Sequence, residues 1–170
     1  MKMLQDSDFS QVKFKEDKLS LQEAILQGKY SFKSLLNLML HSEFKEKASW
    51  VMSGVVEHNP KFLGKEEVGC LLKLLENGVP IGVERNIWRA FQFIKIPRVH
   101  IDQCLHLAFE ALENKKSSIA VEVFAMSTTF ELSKNNQDLQ HLLKEILLFK
   151  IENASKGFQS RARKILKHLN

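Results

Sequence analysis

One apolar skeleton with helical spacing is written four times along this chain, and it restricts the possible folds more than any other feature. In the clearest copy Phe44, Ala48, Val51, Met52 and Val55 stand at i, i+4, i+7, i+8 and i+11, one face of an α-helix. The skeleton returns 39 residues on as Val83, Ile87, Ala90, Phe91 and Ile94. After 36 more it reads Ile119, Val123, Met126, Ser127 and Phe130, and after another 39 it reads Phe158, Ala162, Ile165, Leu166 and Leu169. A helix with one apolar stripe cannot bury that stripe alone, so a near-fixed period of this length predicts stacked helical units. Val51 and Ile94 are expected to sit mid-stripe in the core.

Each unit also needs a first helix, and the ends of these helices align. Leu75-Glu76-Asn77, Leu112-Glu113-Asn114 and Ile151-Glu152-Asn153 recur at spacings of 37 and 39, with Leu40-His41-Ser42 as a degenerate first copy. Counting back from those ends, Leu35, Leu36, Met39 and Leu40 answer to Cys70, Leu71, Leu74 and Leu75, then to Leu107, Ala108, Ala111 and Leu112, and last to Ile146, Leu147, Lys150 and Ile151. Gly78 suits the left-handed residue just beyond a helix end, and Gly28 suits the same role earlier. Asn59-Pro60 and Ile96-Pro97, again 37 apart, separate units because proline disfavours helix at the residue before it. The β-branched residues fall at helical spacing and no Asn-Gly or Asp-Gly hairpin signal occurs, so no sheet is expected. The predicted organisation is an arm and capping helix over 1–31, then pairs over about 32–60, 64–97, 101–135 and 138–170. In the first segment Ser20 and Glu23 have the spacing of a capping box, which predicts a short helix over 21–27. Residues 1–16 show no period and read as a frayed arm or irregular cap.

Composition bounds the function class. The 170 residues, 44% hydrophobic and 26% charged, have the make-up of a globular domain, not of a disordered chain. No apolar run approaches the roughly 20 residues that span a bilayer, and the start of the chain has no secretory h-region, so a cytoplasmic location without membrane partners is expected. Cys70 and Cys104 fall on apolar helical positions and read as buried reduced thiols, with a disulfide or a metal pair as the alternative. The net charge of +5 is local. Residues 1–155 balance 20 Lys and Arg against 20 Asp and Glu, whereas the last fifteen hold Lys156, Arg161, Arg163, Lys164 and Lys167 and no acid. The basic excess therefore belongs to the last helix, as a solvated terminal face or as a phosphate-binding one.

The stretch from Phe44 to Val55 resembles the last helix of armadillo and HEAT repeats. Lys45 stands at the family's basic position, Ala48 at its small position and Trp50 at its tryptophan position, while the other copies place Arg89, Ala125 and Lys164 where Trp50 stands. The resemblance covers roughly 32–170. It implies an all-α fold, a right-handed α-α superhelix (a HEAT/armadillo-like solenoid) of about four helical pairs preceded by an N-terminal helix. It says little about activity, because that architecture hosts scaffolds, transport receptors and a few enzymes. The family's metal-dependent hydroxylases use His-Glu dipeptides, and none of the six histidines here is followed by Glu. Its DNA glycosylases use an acid in a basic, aromatic-lined face, and no acid of this chain matches that role.

The residues themselves offer little chemistry. His100, Asp102, Cys104 and His106 are the one dense group of candidate ligands, but they alternate by two, a strand spacing, where a zinc site on a helix wants other intervals. Asp102 reads better as an N-cap. No G-x-S-x-G elbow and no Walker loop occurs. No cofactor and no metal are expected, and the pattern points away from an enzyme.

What remains is surface. Opposite the core stripe of each second helix, at about 100° per residue, lie Glu46, Trp50, Ser53 and Glu57; then Arg85, Arg89 and Gln92; then Val121, Ala125, Thr128 and Leu132; then Ser160, Lys164 and Lys167. In a solenoid of this type second helices line the concave side. Trp50, Arg85, Arg89, Gln92, Thr128, Lys164 and Lys167 are therefore the candidate partner-binding residues, with Trp88 and Phe124 as neighbouring aromatics that bind or pack sideways. The expected function is a non-enzymatic protein–protein interaction module taking a protein or peptide in its groove. The alternative is a nucleic-acid-binding protein docking phosphates on Arg85, Arg89, Lys164 and Lys167. For Arg89 a structural ion pair with Glu46, Glu57 or Glu84 is the competing role.

Overall fold

The computed structural model describes residues 1–114 and 116–169, and within them ten α-helices and two short 3-10 turns, with no strand. The chain falls into two compact units, Met1–Pro97 and Arg98–Asn170, divided at the second proline linker.

The first unit contains α1 (Asp6–Ser10), α2 (Lys15–Leu26), α3 (Phe32–His41), α4 (Lys45–His58), α5 (Lys65–Glu76) and α6 (Ile81–Phe91). Residues 1–16 are neither frayed nor irregular. Lys2 exchanges backbone hydrogen bonds with Lys29 and Ser31, the Leu4 N–H donates to the Ser34 hydroxyl at 2.9 Å, and Leu4, Phe9 and Val12 are buried. Helix α2 is longer than the Ser20 box suggests. The Asp17 carboxylate accepts from the Phe14 N–H at 2.8 Å and the Lys13 N–H at 2.9 Å, capping the helix two turns earlier, and those bonds hold its pKa below the ordinary carboxylate value. Ser20 is mid-helix, donating back to the Glu16 carbonyl. Gly28 and Gly78 both take positive φ (73° and 76°), so the two helix stops are where the glycines put them.

Helix α4 is the centre of this unit and packs against α2, α3 and α6. Ala48, Val51, Met52, Val55 and Val56 are fully buried, and Ser49, Ser53 and Gly54 are buried with them. Two features let neighbours come so close. The Asn86 side-chain amide of α6 donates to the Ser49 hydroxyl at 2.9 Å, satisfying two polar groups inside the packing. At Gly54 the helix has no side chain at all, and buried Gln22 of α2 fills that space: a Cβ there would stand 1.9 Å from Gln22 Nε2.

The second unit contains α7 (Ile101–Glu113), α8 (Ile119–Ser133), α9 (Gln137–Ile151) and α10 (Lys156–Leu166). Side chains of Ser118, Asn136 and Ser155 cap the last three helices, accepting from the backbone N–H of Val121, Leu139 and Phe158. Here α8 is central, packed against α7, α9 and α10. Its buried hydroxyls are satisfied within the helix, Ser127, Thr128 and Thr129 each donating to the carbonyl four residues back. Lys150 of α9, at a position the repeat alignment assigns to the core, is half-buried. Its ammonium donates to the Leu112 carbonyl and pairs with the Glu122 carboxylate.

Several expected core positions differ; Leu40, for one, is 38% exposed. Ile94 is only half-buried, because α6 ends at Phe91 and its last turn tightens into i→i+3 bonds from Gln92 to Arg89 and from Phe93 to Ala90. Ile119 opens α8 and is 52% exposed. Cys70 is exposed, since α5 buries Val68, Leu71 and Leu72, a stripe two residues out of register with Leu35, Leu38 and Met39 of α3 when the helices are aligned on their shared ends.

The Gly54 contact yields a double-mutant prediction. Gly54→Ala removes a helix-interior glycine, worth about 1 kcal/mol of propensity, but drives a methyl into Gln22, a clash of about 1–3 kcal/mol. The single variant is expected to melt below the parent in a denaturant titration. In a Gln22→Ala background the same substitution is expected to stabilise, by up to about 1 kcal/mol. The same effect in both backgrounds contradicts the contact.

Candidate functional site

Most of α4 is enclosed, and only one sector reaches solvent. At about 100° per residue that sector is centred on Trp50, with Glu46, Lys47 and Glu57 near it; Ser49 and Ser53 turn toward α6 and Gly54 toward α2. The helices α2 and α6 frame the opening. Between them lies a recess of about 130 Å³ lined by Lys18, Glu46, Lys47, Trp50, Gly82, Arg85 and Asn86.

The recess is cationic with an aromatic floor. The Lys18 ammonium stands 5.1 Å from the centroid of the half-buried Trp50 ring, a cation–π contact that fixes both. Lys47 spends two N–H groups on the Val12 carbonyl at 2.7 Å and the Phe9 carbonyl at 3.4 Å, neutral acceptors that leave its charge uncompensated. Arg85 is exposed, and no ion pair among the described residues holds its guanidinium. Against these three cations the lining has one acid, Glu46, whose carboxyl lies over Gly82. Such a set can hold one planar or tetrahedral anion, with Arg85 presenting its fork and Trp50 supplying apolar contact.

The other candidates have different surroundings. Arg89 is committed inside the unit: one guanidinium nitrogen pairs with the Glu57 carboxylate and another donates to Ser53 Oγ at 3.2 Å. Glu57 supplies that carboxylate, while Glu84 is partly buried and its pKa is pushed up by that burial. Gln92 caps α6, its side-chain amide donating to the Arg89 carbonyl at 3.4 Å. Trp88 is buried against Phe91, edge to face, so it belongs to the core. In the second unit Thr128 is 3% exposed and has no surface to offer, a correction that extends to Val121 and Ala125 beside it on α8. The phase reading fails there because these residues lie off the stripe counted from Ile119, the first residue of the helix. Lys164 and Lys167 are exposed, as are Lys156 and Arg163, whereas Arg161 donates to Ser127 Oγ at 3.0 Å.

The sequence missed Lys18 because it started α2 at residue 21. Its signal was present as Lys18 and Gln22 at i and i+4, one helix face that brings both residues to α4.

The group His100, Asp102, Cys104 and His106 does not assemble. Among the described residues no three His, Cys, Asp or Glu side chains gather as ligands. Asp102 lies inside the first turn of α7, not at its cap; His106 is exposed beside Glu110, and Cys104 is buried. No described helix is long and apolar enough to cross a membrane. Comparison with family models, with curated proteins and with solved structures finds no match for this chain.

Both cysteines are free, and burial pushes the Cys104 thiol up to about 12. A thiol-reactive chromophore at neutral pH is expected to titrate Cys70 rapidly in the native protein and Cys104 only on unfolding. Two fast thiols would contradict the burial of α7.

Proposed function

We propose that this chain is a non-enzymatic protein-interaction module, each unit supplying two helical pairs of armadillo/HEAT-like type, and that the first unit holds an acidic side chain of a protein or peptide partner. The observation that carries this is the convergence of Lys18, Trp50 and Arg85 from three helices on one recess. Its volume, about 130 Å³, suits one side chain and is too small for a nucleotide. A fixed indole beside uncompensated cations favours an anion attached to apolar atoms, the make-up of an acidic side chain within a peptide.

A nucleic-acid reading draws on a separate observation, the exposed Lys156, Arg163, Lys164 and Lys167 of α10 and its end. It loses Arg89, whose fork is taken by Glu57 and Ser53. Salt distinguishes the two. Phosphate docking on duplex DNA loses affinity with log salt at a slope of about 0.9 per contact, and a site with one anion and an aromatic anchor changes far less.

An array of peptides that vary acidic and neutral residues, probed with the parent protein and with Arg85→Glu, tests the reading. The parent is expected to select Asp- or Glu-bearing peptides, and Arg85→Glu to weaken them by about tenfold or more with an unchanged melting temperature. Equal selection by the two proteins, or binding to duplex DNA with a steep salt slope that Lys164→Glu abolishes, overturns it.

A further inference from the structure

Helix α9 carries two apolar stripes, and the unit uses only one. Leu143 and Leu147 are fully buried against the rest of the second unit. Leu142, Ile146 and Phe149 stand at i, i+4 and i+7 on an adjacent face, roughly 100° round the helix. Leu142 is 41% and Phe149 88% exposed, and Ile146 is half-buried. With Glu113 at the end of α7, and with Glu145 and Lys150 of α9, these residues line a groove of about 420 Å³.

The charge of the groove is one-sided. The lining's single cation, Lys150, is already answered by Glu122 and the Leu112 carbonyl. Glu113 and Glu145 are exposed, Glu145 meeting only His141, one turn back at 3.4 Å and itself exposed. An apolar floor of side chains at i, i+4 and i+7 between two exposed carboxylates is complementary to a helix with the same apolar spacing and flanking cations. Helix α10 of a second copy does not fit that description, because its apolar residues Phe158, Ala162 and Ile165 are buried in its own unit.

We propose that the α9–α7 groove of the second unit is a docking site for a basic amphipathic helix of a protein partner, with Phe149 as its central anchor and Glu113 and Glu145 as its charge selectors. This site is separate from the cationic recess of the first unit and selects the opposite charge.

The test uses a fluorescein-labelled helical peptide carrying leucines at i, i+4 and i+7 and lysines on both sides, with a partner peptide in which every lysine is glutamate. The full chain is expected to bind the lysine peptide, with amide shifts in α9 and at Glu113. Phe149→Ala is expected to weaken that peptide by about tenfold or more at an unchanged melting temperature, since the ring is on the surface. Glu145→Lys is expected to weaken the lysine peptide and, in an Arg85→Glu background that disables the recess of the first unit, to improve the glutamate peptide. Equal affinity of the Arg85→Glu chain for the two peptides, or indifference of the lysine peptide to Phe149→Ala, overturns the proposal. So does a concentration-dependent dimer that Phe149→Ala dissolves, which would make a second copy the occupant.

Discussion

Everything in the first unit depends on α4 having almost no solvent side. A helix enclosed by α2, α3 and α6 must let backbones approach without leaving voids or orphaned polar groups. It does so by omitting a side chain at Gly54, where Gln22 enters, and by pairing Ser49 with Asn86 of α6. In the second unit the hydroxyls of α8 turn back onto their own helix, and Ser127 also accepts from Arg161 of α10.

That enclosure also decides where function can lie. Where α4 is covered it is core; where α2 and α6 part, Trp50 appears between Lys18 and Arg85. Lys18 and Trp50 hold each other through their cation–π contact, while Arg85 stands exposed at the rim. Arg89, one turn further along α6 than Arg85, shows the opposite arrangement. Its partners Glu57 and Ser53 are on α4 itself, and the charge is used to fasten α6 down.

Helix type was legible in the sequence, because Ala48, Val51, Met52 and Val55, or Phe158, Ala162 and Ile165, repeat on one face and are buried where that face predicts. Phase was legible on α4 and α10. It failed on α8, where Ile119 is exposed and Thr128 buried: Ile119 is the first residue of the helix, and the buried Val121, Ala125 and Thr128 lie off the stripe counted from it. It failed on α5, where Cys70 emerged, because shared helix ends do not impose shared rotation. On α9 an apolar surplus was visible: Leu142, Leu143, Ile146, Leu147 and Phe149 are too many for one stripe, and the excess is the exposed groove. Trp50 and Arg85 were found by facing direction, but Lys18 was lost with the start of α2, because Asp17 caps the helix more strongly than the Ser20 box that resembles a cap.

The two tryptophans make the central claim directly measurable. Trp50 is half-buried at the recess and Trp88 is enclosed in the same unit, so their indole N–H signals in a nitrogen-15 correlation spectrum report the site and its scaffold separately. Titrating the full chain with a peptide bearing aspartate and glutamate should shift the Trp50 signal to saturation and leave that of Trp88 in place. A Trp50 signal that stays fixed through the titration, or a Trp88 signal that moves with it, would contradict a preformed anion-binding recess on α4.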